Sequence, residues 1–181
     1  MITKIVIGYA IPRGGSSYLG FLLKQAESVV SVKMSEHNKL HPLNSNDGLL
    51  SLMNTFRAHD VRFVFLDRDD DSIIKSHHAI NEIQHLKPKM YAPMNAPKSK
   101  GLKTRKQILN EINKIRRNTD RQDGAKDGLG NKVNLLRLDY NNFDIDALAA
   151  FIGDDAVKQA HAEAWMKRPI RHGRLSYGIN K

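Results

Sequence analysis

Apolar residues in this chain fall into short unbroken runs and longer stretches at helical spacing. Ile5-Val6-Ile7 is a β-branched run of the kind that forms a parallel strand covered on both faces. Pro12 stops that strand, because its ring fixes φ and it carries no N–H. Leu19, Leu22, Leu23 and Ala26 then recur at helical spacing, which predicts a helix with Ser16 and Ser17 at its N-terminus. Val29, Val30 and Val32 predict a second strand ending near Lys33. Leu49, Leu52, Met53 and Phe56 stand at i, i+3, i+4 and i+7, so residues 46–59 read as an amphipathic helix. Arg62-Phe63-Val64-Phe65-Leu66-Asp67 is the clearest other strand, and residues 69–86 follow as a helix with Ile73, Ile74, His77 and Ile80 as a partial stripe. A polar helix over 104–117 turns Ile108, Ile112 and Ile115 inward. A strand over 133–138 comes next, then a helix capped by Asp144 and ended by Gly153, burying Ile145, Leu148, Ala149 and Ile152.

The repeated strand–helix order predicts a three-layer α/β/α domain with a central parallel sheet, spanning residues 1–181 as one unit. Ligands of such sheets sit beyond the carboxyl ends of the strands, where Arg13, Glu36 and Arg68 are expected to emerge. Two stretches read as surface loops. Residues 87–106 are interrupted by Pro88, Pro93 and Pro97 and carry seven Lys or Arg. Residues 118–131 contain Gly124, Gly128 and Gly130. The tail from Trp165 is basic and punctuated by glycine, and no repeat or heptad run is present.

Charge narrows the partners. Twenty-nine Lys and Arg against nineteen Asp and Glu leave a formal charge of +10, which favours polyanionic ligands. The absence of cysteine excludes disulfides and thiolate chemistry. No apolar run approaches the roughly 20 residues of a membrane span, and no secretion signal precedes the first strand, so a cytoplasmic protein is expected. His37 and His41 stand at i, i+4, yet without cysteine or a third ligand nearby they read as loop histidines, and no metal is expected.

The first strand–helix turn holds the most specific chemistry. Gly14 and Gly15 let the backbone curl, the helix N-terminus supplies N–H donors and a positive dipole end, and Arg13 adds a permanent forked cation. Taken by itself, this is equally an ordinary Gly-rich turn.

Three separated segments together resemble the sulfotransferase family that uses 3′-phosphoadenosine 5′-phosphosulfate. Pro12-Arg13-Gly14-Gly15-Ser16-Ser17-Tyr18 is similar to the family's 5′-phosphosulfate loop. Phe63-Val64-Phe65-Leu66-Asp67-Arg68, continued to Ser76, resembles the family's second motif, an Arg at the strand end and a Ser at i+8, both on the donor's 3′-phosphate. Val133-Asn134-Leu135-Leu136-Arg137-Leu138-Asp139-Tyr140 and the helix after it resemble the family's late strand. Arg171-His172-Gly173 matches the C-terminal donor-binding segment in part, while Ser176-Tyr177-Gly178 departs from it.

The resemblance implies a P-loop NTPase-like version of the α/β/α fold and transfer of a sulfuryl group to a hydroxyl or amine. It implies donor contacts from Arg13, Gly14, Gly15, Ser16, Ser17, Tyr18, Arg68, Ser76, Arg171 and Gly173. Several branches place a Glu just past the second strand as the base; Glu36 is positioned like it, with His37 as runner-up. A small molecule or a glycan is the expected acceptor, with peptide tyrosine also open, because the loops that choose it carry no motif.

Two other classes stay in view. A P-loop kinase or NTPase would need G-x-x-x-x-G-K-[ST], but Arg13 follows Gly8 by five residues and no Lys precedes Ser16. A non-catalytic nucleotide- or nucleic-acid-binding protein accounts for the charge but not for the ordered motifs. Few aromatics interleave the basic stretch over 87–106, which makes nucleic acid the less favoured partner.

Overall fold

β-Branched and aromatic residues concentrate in two runs, and those runs become the centre of the sheet. In the computed structural model, which describes residues 3–34, 38–86, 104–166, 170–171 and 174–175, β1 (Lys4–Ala10) pairs in parallel with β3 (Asp60–Asp67). Ile5 lies opposite Val61 and Ala10 opposite Leu66. β2 (Val30–Lys33) pairs with the other side of β1, and β4 (Asn134–Asp139) with the other side of β3. All pairings in this sheet are parallel, in the order β2-β1-β3-β4.

Successive side chains of a strand point to opposite faces, so β1 and β3 feed two cores. Ile5, Ile7 and Tyr9 join Phe63 and Phe65 beneath α2 (Gly48–Thr55), α3 (Asp70–Leu86) and α4 (Arg105–Gln122). Val6 and Ala10 join Val64 and Leu66 beneath α1 (Ser16–Leu23), α5 (Ile145–Ile152) and α6 (Ala156–Met166). Helices on both faces of an all-parallel sheet make the three-layer α/β/α fold that the strand–helix order predicted. Gly8 belongs to the α1 face, where a Cβ would come within 2.6 Å of Leu23 Cδ1, so bare backbone lets α1 settle on the strand.

The main correction concerns residues 118–131. The helix expected to stop at 117 runs on as α4 to Gln122, with Asn118, Thr119 and Gln122 buried. Their polarity reads as surface in the sequence, but each side chain has a partner inside. The Tyr9 hydroxyl donates to Thr119 Oγ1 at 3.2 Å, Asn118 Nδ2 donates to the Pro42 carbonyl, and Gln122 Oε1 accepts from Leu49 N at 2.7 Å. A hydrogen-bonded polar group loses little on burial. Only residues 123–131 form a turn, tied back by the Asp127 carboxylate, which accepts from the N–H groups of Leu129 and Asn131. At its start α4 has a capping box: Thr104 Oγ1 accepts from Gln107 N and Gln107 Oε1 from Thr104 N. Residues 105 and 106 are therefore helical, and 87–103 lie outside the described residues.

Other boundaries moved less. The helix expected over 46–59 is the shorter α2, whose first residue, Gly48, packs so tightly that a Cβ would fall 1.7 Å from the Leu40 carbonyl oxygen. Asp144 caps α5 by accepting from Ala147 N, and Gly153 ends it in the left-handed region at φ 74. In the tail, β5 (Ile170–Arg171) and β6 (Arg174–Leu175) form a short antiparallel pair. Among the described residues no helix is long and apolar enough to cross a membrane.

His41 does belong to the segment between β2 and α2, but its ring is core rather than loop surface, at 1% exposure. It stands edge-on to Tyr9 at 5.8 Å, and its Nδ1 accepts from Leu43 N at 3.1 Å. Burial pushes its pKa down to about 4, a hydrogen bond with the Ala10 backbone opposing in part. With the folded value below the ordinary 6.5, the unfolded chain takes up the proton first. Folding stability should therefore fall as pH drops from about 6.5 towards about 4 and change no further through this group below that. The full loss is expected to be about 3 kcal/mol. Denaturant unfolding across that window measures it, and His41→Leu should flatten that part of the profile.

Candidate functional site

The turn after β1 is built from two left-handed residues around a tight bend. Gly14 N donates to the Ile11 carbonyl at 2.7 Å, closing the bend. Arg13 has φ 68, uncommon for a residue with a side chain, and Gly15 has φ 102. Gly15 is also the N-cap of α1, and its carbonyl accepts from Tyr18 N and Leu19 N. The helix starts at Ser16, so Ser16 and Ser17 lie within its first turn and not ahead of it, and among the described residues no side chain caps it. The half-exposed Ser16 and exposed Ser17 thus occupy the positive end of the α1 dipole.

β1 and β3 run side by side, so the residues following them emerge together. Arg13 Nε donates to Ser76 Oγ at 3.2 Å, joining the turn to the second turn of α3. Arg68 follows β3 directly, and its Nη1 donates to the Arg13 carbonyl at 3.5 Å. The Arg68 guanidinium lies over the Tyr140 ring, 4.7 Å from its centroid, in cation–π contact. Arg68 Nε is buried and has no hydrogen-bond partner among the described residues. Two guanidinium groups and a hydroxyl thus converge at the carboxyl edge of the sheet, with the Arg68 Nε–H donor unspent among the described residues. That set suits an oxyanion with several acceptor oxygens.

Tyr140 was read only as the end of a late strand, yet it shapes this corner. Its N–H donates to the Asp67 carbonyl at 2.8 Å, and a Cβ on Gly15 would come 2.5 Å from its Cδ2. Its neighbour Asn141 donates to Asp69 at 2.7 Å. Hydrogen bonds from Ser72 and Asn141 hold the Asp69 carboxyl down at about 2, so it stays ionised at the start of α3. Lys33, at the end of β2, reaches Ser17 Oγ at 3.5 Å and adds a third cation to the edge. Lys33 carries no motif of its own; it becomes visible only through the sheet order.

Tyr18 goes elsewhere. It is buried beneath the turn, where its hydroxyl meets His161 Nδ1 and its ring stands edge-on to Phe143 at 5.3 Å. Glu36, His37 and Gly173 lie outside the described residues. Met34, just before the first two of these, is held to the Gly8 carbonyl at 2.8 Å, beside β1. Arg171 lies in β5, opposite Arg174. Arg13, Gly14, Gly15, Ser16, Ser17, Arg68 and Ser76 are therefore brought to one edge, and Tyr18 supports it from below.

No protein-family model matches this sequence, and no curated protein matches it either.

Gly15→Ala tests how tightly the corner is made. The variant must hold an L-residue at φ 102 and push a Cβ against the Tyr140 ring. The backbone strain alone should cost about 1–3 kcal/mol. Gly130→Ala, at φ 85 but with no atom within 4 Å of its Cβ, should cost less. The difference between the two unfolding free energies reports the contact with Tyr140.

Proposed function

We propose that this protein is a 3′-phosphoadenosine 5′-phosphosulfate-dependent sulfotransferase with a P-loop-like donor edge. The observation that carries the reading is the meeting of Arg13, Arg68 and Ser76. The chain separates the first from the last by 63 positions, and they share one hydrogen-bonded cluster beyond the carboxyl ends of β1 and β3. In this reading Arg68 and Ser76 hold the donor's 3′-phosphate. Arg13 and the N–H groups of the turn face the 5′-phosphosulfate. The unspent Arg68 Nε supports the fit of an anionic ligand with several acceptor oxygens.

Sulfuryl transfer leaves charge on the departing phosphate oxygen, so the protein's task is alignment and charge stabilisation. Arg13 supplies a forked cation there, and the α1 N-terminus adds its dipole. The acceptor hydroxyl or amine must lose a proton to a base within hydrogen-bond reach; Glu36 is assigned that role, with His37 as the alternative. Arg171 and Gly173 belong to the adenine end of the donor. The acceptor is taken as a small molecule or glycan.

A magnesium-dependent kinase or NTPase fits less well. Asp67, at the position where such a strand would organise the metal, has both carboxylate oxygens engaged. Arg116 donates to them at 2.9 and 3.0 Å, and Arg68 N donates to one at 2.7 Å.

Calorimetry with 3′-phosphoadenosine 5′-phosphate, against the analogue lacking the 3′-phosphate, tests the donor site. A clear preference for the 3′-phosphorylated nucleotide is expected, and equal affinities would remove Arg68 and Ser76 from the assignment. An acceptor screen with labelled sulfate then tests transfer; a donor-binding protein that sulfates nothing is a nucleotide-binding module instead.

Arg13→Ala should lower kcat by about 10²–10³ while weakening product-nucleotide binding far less, as expected for a contact strongest in the transition state. Arg13→Lys should recover part of that, since charge survives but the forked geometry does not. Single-turnover rates set beside nucleotide affinities separate the two effects.

A further inference from the structure

The corner between β3 and α3 carries Arg68 at its vertex and Ser76 two turns along the helix, so its angle sets where both groups lie. Neither the strand nor the helix determines that angle alone. One side chain from a distant element is bonded to several parts of it: Arg116, on α4, directs its guanidinium at this corner. Its Nε and Nη2 donate to the two carboxylate oxygens of Asp67 at 2.9 and 3.0 Å. Nη1 donates to Asp70 Oδ1 at 2.7 Å, and Nη2 also donates to the Arg68 carbonyl at 2.9 Å. The last residue of β3, the backbone of Arg68 and the first residue of α3 are thus pinned by one planar group.

We infer that Arg116 is a positioning residue for anion recognition, setting the Arg68–Ser76 pair without touching the ligand itself. This rests on the proposed 3′-phosphate role of that pair. Two physical effects act together. The fork is rigid and planar, so three bonded points on the corner are held in one plane. Its single positive charge also offsets part of the negative charge of Asp67 and Asp70, two carboxylates that would otherwise oppose an anion beside Arg68 more strongly. From the other side the corner is held by Tyr140 N on the Asp67 carbonyl and Asn141 on Asp69, so α4 and β4 brace it between them.

The readout is the ratio of affinities for 3′-phosphoadenosine 5′-phosphate and for the same nucleotide lacking the 3′-phosphate. Arg116→Met, similar in length but without donors, should reduce that ratio roughly tenfold or more, within the 10²-fold that a misplacement of about 1 Å can cost. Arg116→Lys should fall between, keeping charge without the fork. Arg137→Ala provides the comparison: that arginine is also doubly ion-paired, to Asp120 and Asp123, but away from α3. Its loss should leave the ratio unchanged, so a drop confined to Arg116 is not a general effect of losing an ion pair. An unchanged ratio in folded Arg116→Met overturns the inference. Should that variant fail to fold, Arg116→Lys decides, and an unchanged ratio there overturns it equally. Equal affinities in the unaltered protein would instead sink the 3′-phosphate reading and this inference with it.

Discussion

Parallel pairing of β1 with β3 is the constraint from which the rest of the molecule follows. It buries both strands on both faces, so their side chains must be apolar in both directions. It also brings two chain ends, residue 10 and residue 67, to the same edge of the sheet. Arg13 and Arg68, the two cations at the centre of the proposed donor site, sit in the short segments that leave those two ends. The turn carrying Arg13 and the corner carrying Arg68 are neighbours because the register makes Ala10 and Leu66 neighbours.

Those two segments are then locked to each other by a small set of directional contacts. Arg13 reaches Ser76 and Arg68 reaches the Arg13 carbonyl, while Tyr140 fills the space between Gly15 and the Arg68 guanidinium. A left-handed non-glycine residue such as Arg13 is costly, and it persists where its surroundings over-determine it. The hydrogen bonds at Gly14 and Ser76 on either side of it are that determination.

α4 plays an unexpected double part. Its isoleucines pack on the sheet, while Asn118, Thr119 and Gln122 point inward and make bonds that tie distant parts of the chain together. Asn118 holds the segment between β2 and α2, Gln122 the first turn of α2, Thr119 receives the Tyr9 hydroxyl, and Arg116 secures the β3–α3 corner. One helix thus braces both one face of the sheet and the β3–α3 corner beside Arg68.

The three-layer fold was legible in the sequence because burial on two faces leaves a local signature. Ile5-Val6-Ile7 and Phe63–Leu66 are continuous apolar runs, and the helix stripes recur at fixed spacing. Asp144 and Gly153 likewise announce a helix start and stop through requirements of their own backbone. The Arg13, Arg68 and Ser76 cluster was half legible: motif and spacing named its members, but only parallel pairing brings them to bonding distance. Three things were invisible. Asn118, Thr119 and Gln122 look like a polar helix end, since a buried polar side chain is distinguished only by a partner remote in sequence. His41 looks like a loop residue because burial is a property of its surroundings. Arg116 looks like one more surface cation, since its meaning lies in the carboxylates that tertiary structure places before it. Local periodicity belongs to the chain; the pairing of hydrogen-bond donors with distant acceptors belongs to the fold.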